Sequence, residues 1–197
     1  MDVIEQLEIV VPEFQRVVRG VRFDQLDNPT PCEGWAVRDL CYHLLAGRAF
    51  RKVVRGDDVS EEEMALYKNQ SSADRPDLGI PDEDLLAEVA GGPDDTLDAF
   101  RAPGAMDRTV TIFMGEYPGD TFAHLAVFEL INHTWDFARA SGQEVHLPDE
   151  LCLEVVAWAR ETMGDEWRTP KTFGPETAPP PDPTPLEQVL AYSGRKV

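Results

Sequence analysis

Residues 120–142, DTFAHLAVFELINHTWDFARASG, decide the fold class. They read as one long helix from about Asp120 to Ser141, with Gly142 in the place of a C-cap. Inside it, Glu129 and His133 stand four residues apart, one turn along the same helical face. A carboxylate oxygen and an imidazole nitrogen at that spacing can bind one divalent ion from a single helix. A solvated Glu–His pair uses the same spacing, so the motif alone leaves both readings open.

Working outward, the flanking segments are helical too. Residues 109–117, TVTIFMGEY, carry β-branched and aromatic side chains ahead of Pro118-Gly119, which predicts a small hairpin or extended crossover. Before it, a helix opens near Asp82 and continues through Leu85, Leu86, Val89, Leu97 and Phe100, with Gly91-Gly92-Pro93 expected to break or bend it. Residues 69–81 read as polar loop. Ser60 and Glu63 have capping-box spacing for a short helix. A helix over about Trp35–Arg55 carries Val37, Leu40, Cys41, Leu44 and Leu45 and stops at Gly56-Asp57-Asp58. Residues 24–34, DQLDNPTPCEG, are turn formers. Ile4, Leu7, Val11, Phe14, Val18 and Val21 step by three and four along a first helix, which Asp2 and Glu5 cap and Pro12 is expected to kink.

On the other side, a helix covers about Pro148–Met163. Seven of the sixteen prolines then fall within 170–185. Thr184-Pro185-Leu186-Glu187 nevertheless offers an N-cap, a proline at the first helical position and a glutamate at the third. Leu186, Val189 and Leu190 follow on one face, and Gly194 can end the turn. The expectation is a proline strap across 170–185 and a terminal helix over 185–194 that docks. The chain is thus expected to be all-α, a helix bundle forming one domain over 1–197.

Composition narrows the partners. Eighteen Lys+Arg against 37 Asp+Glu give a net charge of −19, which disfavours nucleic acid and anionic membrane surfaces. No apolar run approaches the ~20 residues of a membrane span. The first residues carry acids where a secretory signal has basic groups. Cys32, Cys41 and Cys152 form no C-x-x-C pair, which argues against a disulfide framework and a cysteine zinc knuckle. A cytoplasmic protein with reduced thiols, monomeric or homodimeric, is expected.

His43 sits among apolar residues in LCYHLL, where an unsatisfied ring is costly, so it is either a hydrogen-bonded core histidine or a ligand from a second helix. His124 is rotated about 140° from Glu129 on the helix and is placed off any shared metal. His146 reads as surface, Cys32 as a small turn residue rather than a reactive thiol, and Cys41 points away from His43. Trp135 reads as core. Asp136 is expected to cap or pair with Arg139 or a loop amide; orienting a ligand histidine is its second possible role.

Residues 28–44, NPTPCEGWAVRDLCYHL, resemble the entry to the second helix in the DinB-like superfamily, most closely the N-terminal domain of mycothiol-dependent maleylpyruvate isomerases. Residues 129–142, ELINHTWDFARASG, resemble that group's second metal motif, and the stretch from Phe173-Gly174-Pro175 through Leu190 to Gly194-Arg195 resembles its short, single-domain actinobacterial members. The resemblance implies a DinB-like four-helix bundle holding a divalent metal on His43, Glu129 and His133. Zinc is the first expectation, and nickel can occupy the same ligands. Three ligands leave positions open, as in a catalytic site. Against the full-length isomerases, a second domain is not expected here, and Ala36 stands where a Ser or Thr cap would suit the helix of His43.

The resemblance further implies a mycothiol-type thiol as cosubstrate. The expected chemistry is S-transfer to a small electrophile, or isomerisation through a transient thiol adduct. Metal-assisted hydrolysis and non-catalytic binding of a metal or small ligand are the alternatives.

Overall fold

Asp2 opens the first helix as the sequence predicts: its carboxylate accepts the Glu5 N–H at 2.9 Å, and Glu5 accepts the Asp2 N–H in return. In this computed structural model, which describes residues 1–68, 78–112, 115–168 and 172–197, helix α1 runs unbroken over Val3–Gly20. Pro12 lies on its exposed side. A short 3-10 turn at Phe23–Gln25 leads to α2 (Val37–Ala46), α3 (Arg48–Arg55), α4 (Glu61–Lys68) and α5 (Leu85–Arg101). The strands β1 (Thr109–Ile112) and β2 (Gly115–Pro118) pair antiparallel, with Thr109 opposite Pro118 and Ile112 opposite Gly115. Helices α6 (Gly119–Ser141), α7 (Asp149–Thr162) and α8 (Pro185–Tyr192) complete the order, with a 3-10 turn at Asp165–Trp167 after α7.

The bundle is made by α1, α2 with α3, α5 and α6: α1 lies against α6 and α5, while α2 and α3 pack on α5. Its core is carried by Leu7, Phe14, Leu40, Leu85, Phe100, Phe122, Phe128, Ile131 and Phe137, all essentially inaccessible. This is the all-α four-helix arrangement that the resemblance implies, with the small extended crossover and docked terminal helix expected from the residue pattern.

Two expectations are corrected. The helix expected over Trp35–Arg55 is two, because Gly47 takes φ −68° and ψ −2° and donates back to His43 O, closing α2 before α3 begins. Conversely, Gly91-Gly92-Pro93 does not break α5, which is continuous through it. An interior proline costs about 3 kcal/mol. Burying Leu85, Val89, Leu97 and Phe100 on the same helix, at about 1.5–3 kcal/mol each, outweighs that. Of the loop expected over 69–81, residues 69–77 lie outside the described residues, as does Pro170 of the strap.

The start of α6 depends on backbone contact. A Cβ on Gly119 would fall 1.9 Å from the Ala105 carbonyl oxygen, so only glycine fits. The close approach lets the carbonyls of Arg108 and Met106 accept the first N–H groups, of Gly119 at 2.8 Å and Asp120 at 3.0 Å, in place of a side-chain cap.

The C-terminal segment is docked. Thr184 and Glu187 form the expected capping box around Pro185. Val189 and Leu190 are fully buried, and α8 packs on α7 and α6. Tyr192 Oη donates toward the carbonyls of Ala159 (2.9 Å) and Met163 (2.6 Å) at the end of α7. Phe173, from the strap, lies edge-on to Phe128 of α6.

Candidate metal centre

The loop before α2 sets the site. Ala36 has no capping oxygen, and the chain compensates in two ways. Asp39 Oδ2 accepts the Ala36 N–H at 2.6 Å. The carbonyls of Asn28 and Leu26 accept the N–H groups of Val37 (3.0 Å) and Arg38 (2.8 Å). Asn28 Nδ2 in turn donates to Ala140 O and Gln25 Nε2 to Ser141 O, closing the C-terminal carbonyls of α6. These bonds hold the loop between α1 and α2 against the last turn of α6. They bring α2, with His43 in its last turn, alongside α6.

His43 on α2 therefore meets Glu129 and His133 on α6. One ligand atom from each lies within 4.8 Å of the other two, and the two imidazole rings are 5.2 Å apart. Trp35 covers the other side of His43, with ring centroids 5.1 Å apart. His133 is 5% exposed, while His43 and Glu129 are half-buried, so the open side of the cluster lies towards those two. Nε2 of His133 is 2.9 Å from Glu129 Oε2, yet this buried nitrogen makes no aligned hydrogen bond. A buried ring nitrogen left in that state costs free energy. Its position beside a second imidazole and a carboxylate is the donor set a borderline divalent ion takes, and the residues fit such a group.

Behind His133, Nδ1 lies 3.0 Å from Asp136 Oδ2. Asp136 is fully buried and accepts two bonds from Arg195, Nε to Oδ1 at 2.9 Å and Nη2 to Oδ2 at 2.6 Å. Burial works to raise the Asp136 carboxyl, but the charge and hydrogen bonds of Arg195 together with His133 hold it well below the usual carboxylate range. For His133, burial works to lower the imidazole. The hydrogen bond to Asp136 and the two neighbouring carboxylates outweigh it, leaving the group above its ordinary value. Glu129 is likewise lowered despite burial, through His133.

Cys32 Sγ donates to Asp136 Oδ2 at 3.4 Å. Burial first, then the charge of Asp136, push this thiol up to about 12, which makes it a structural donor rather than a reactive thiolate. Cys32, His133 and Asp136 also stand close enough to hold a metal. The Arg195 guanidinium already touches Asp136, however, and comes within 4.0 Å of the sulfur, so a second cation there would meet a buried positive charge.

The other sequence candidates fall outside the cluster. His124 stacks on Trp158 at 5.1 Å, and its pKa is lowered by burial. His146 is exposed, and Cys41 is buried in the core. Two expectations need correction. Trp135 is not core: it is half-buried, with the Arg139 guanidinium 5.7 Å from its ring, and it lines a surface groove with Leu186 and Leu190. Asp136 does not pair with Arg139, and takes the orienting position on His133 instead. Arg195 is the residue sequence reasoning missed. The one signal pointing to it was the resemblance of the closing stretch through Gly194-Arg195.

Comparison with known proteins bears on the family and the fold. Residues 7–138 match the family described as mycothiol maleylpyruvate isomerase N-terminal domain. Uncharacterized proteins from two strains of Mycobacterium tuberculosis are 35% identical over 185 residues, covering 93% of this chain and 92% of theirs. Two crystal structures of mycothiol-dependent maleylpyruvate isomerase, one of them a histidine-to-alanine mutant, share the fold. Their TM-scores are 0.58 (the mutant) and 0.54, at 16% identity, over 83% of this chain and 74% of theirs.

Proposed function

The chain belongs to the mycothiol maleylpyruvate isomerase N-terminal domain family, and from that premise we propose that it is a divalent-metal-dependent enzyme using a low-molecular-weight thiol of the mycothiol type. Its reaction is S-transfer to a small electrophile, or isomerisation of that electrophile through a transient thiol adduct. His43, Glu129 and His133 hold the metal, zinc in the first instance. The observation that carries this reading is the convergence of their three ligand atoms within 4.8 Å of one another, with the buried His133 Nε2 2.9 Å from Glu129 Oε2 but not aligned for a hydrogen bond.

A divalent ion bound there supplies Lewis acidity, lowering the pKa of a thiol at its open position so that the sulfur is presented as thiolate at neutral pH. The chain's own residues do the rest. Glu129 brings one negative charge to the donor set. Asp136 accepts the hydrogen bond of His133 Nδ1–H and fixes the face its ring presents. Trp35 packs against the His43 ring. The three cysteines are all pushed up to about 12 by burial, so the reacting sulfur comes from the cosubstrate and not from the chain.

The test is to load the protein with zinc and follow loss of a generic electrophile with and without mycothiol, alongside ester and amide panels without thiol. Turnover that needs both metal and thiol supports the proposal. Thiol-independent hydrolysis, or tight metal binding with no turnover of any kind, overturns it.

A further inference from the structure

The polar chain behind His133 runs to a segment 59 residues further along the sequence. Arg195 spans both oxygens of Asp136, and its third nitrogen, Nη1, donates to Ser193 Oγ at 2.9 Å. The Ser193 hydroxyl donates to Asn132 Oδ1 at 2.6 Å, and Asn132 Nδ2 donates to Phe128 O within α6. The C-terminal segment thus grips α6 at residues 132 and 136, on either side of the ligand histidine. None of this is surface chemistry: Asn132 and Asp136 are fully buried, and Ser193 is 3% exposed.

The backbone that delivers Arg195 is fixed as closely. Gly194 sits at φ +91°, and a Cβ there would approach Gly174 Cα to 2.9 Å, so the strap and the tail cross backbone on backbone. The Arg195 N–H donates to Leu190 O at 3.0 Å, and its own carbonyl accepts from Thr177 Oγ1 at 2.6 Å. These contacts fix the Cα from which the guanidinium reaches Asp136.

We propose that Arg195 is a positioning residue of the metal centre: by holding both oxygens of Asp136, it fixes the acceptor of the His133 Nδ1–H hydrogen bond, so that in the neutral ring Nε2 carries the lone pair towards His43 and Glu129. A neutral imidazole carries one N–H. An acceptor locked at Nδ1 decides that Nε2 has the lone pair. Without the two-point clamp, the Asp136 carboxylate is free to turn about its last side-chain bond, and the ring loses its fixed tautomer and orientation. Loss of an outer partner of this kind typically weakens metal affinity about 10–100-fold. The inference rests on the metal reading above.

The experiment compares the full chain with Arg195→Gln, Arg195→Lys, Asp136→Asn and Tyr192→Phe. Two readouts are used: zinc affinity by competition with a chelator, and the His133 tautomer in the metal-free protein by imidazole nitrogen NMR, recorded at a pH high enough for the ring to be neutral. Arg195→Gln and Asp136→Asn are expected to weaken zinc binding at least tenfold and to turn a single Nδ1–H signature into a mixture. Arg195→Lys, which keeps a donor but not the fork, is expected to recover part of both. Tyr192→Phe removes the hydroxyl that ties the tail to Ala159 and Met163. It is expected to lower Tm and leave zinc affinity and tautomer unchanged, separating loosened docking from lost positioning. Wild-type affinity and a single tautomer in Arg195→Gln would overturn the proposal, as would an affinity loss in Tyr192→Phe equal to that in Arg195→Gln. Should Arg195→Gln fail to fold, Arg195→Lys and Asp136→Asn decide by the same readouts. A wild-type chain that binds no zinc overturns the metal reading instead, and the NMR comparison still decides whether Arg195 sets the state of His133.

Discussion

Leu190→Ala isolates the docking of α8. The side chain is fully buried beside Val189, on a helix that packs on α7 and α6. Truncation removes three carbons, worth about 0.8 kcal/mol each on transfer, or about 2.4 together. A helix anchored by its N-cap, by Tyr192 and by the Arg195 clamp cannot collapse into the space left, and a residual cavity raises the loss to about 3 kcal/mol. For a chain of this length about 2–4 °C accompanies each kcal/mol, so Tm should fall by about 6–12 °C. Urea unfolding followed by circular dichroism gives the free energy directly, with an unchanged slope expected. Leu153→Ala on α7, where the side chain is 48% exposed, serves as the control and should shift stability by less than about 0.5 kcal/mol. A Leu190→Ala loss below about 1 kcal/mol, matching the control, would mean that α8 does not dock in solution and that the proline strap is a loose linker.

Alanine at His43, Glu129 or His133 should each weaken zinc binding strongly while leaving the fold intact, with His124→Ala retaining the metal; elemental analysis and chelator competition check all four, and metal loss in His124→Ala with retention in Glu129→Ala would place the ion on the wrong face of α6. Because the His133 imidazole of the metal-free chain holds its proton above the ordinary value, zinc affinity should already be falling as pH is lowered towards neutrality, and a flat affinity from pH 8 to 6 would contradict the assignment. Glu13 pairs with Arg16 and accepts the His146 N–H at 2.6 Å; burial works to raise its carboxyl, but these bonds leave it below its ordinary 4.5. The stability it adds is therefore present above that value and lost as pH falls through the lowered one, so Glu13→Gln should narrow the difference between unfolding free energies at neutral and acid pH. Cys32, pushed up to about 12, should alkylate slowly with iodoacetamide at pH 8, and a fast stoichiometric reaction there would contradict its burial against Asp136.

What could be read from the sequence was local. Asp2 with Glu5, Ser60 with Glu63 and Thr184 with Glu187 are capping pairs three residues apart, and all three form. Glu129 and His133 share a face because one helical turn dictates it. The errors lie where packing overrules propensity. Gly91-Gly92-Pro93 continues α5 because the apolar face on either side is buried, and nothing in those three residues says so. Gly47 interrupts a run whose apolar spacing is otherwise helical. Trp135 looked like core because it is large and apolar, yet it stands on the turn of α6 beside Arg139. Asp136 has a cation three residues away on its own helix, and its actual partner comes from the far end of the chain. No local pattern announces a pairing 59 residues long.

The clamp on Asp136 also sets an order of events during synthesis. By the time residue 142 has been added, the residues of both ligand helices, His43, Glu129 and His133 among them, have been synthesised. Arg195 is not made until more than fifty residues later. At about 5–20 residues per second, the interval between the last ligand and the arginine is on the order of 3–12 s. Until then α6 has no guanidinium to pair with Asp136, and Nδ1 of His133 has an acceptor that nothing holds still. A nascent bundle can therefore collapse early, but its metal centre matures last, and a ribosome stalled within the proline-rich 175–185 stretch would leave a folded protein whose His133 is not yet set to bind.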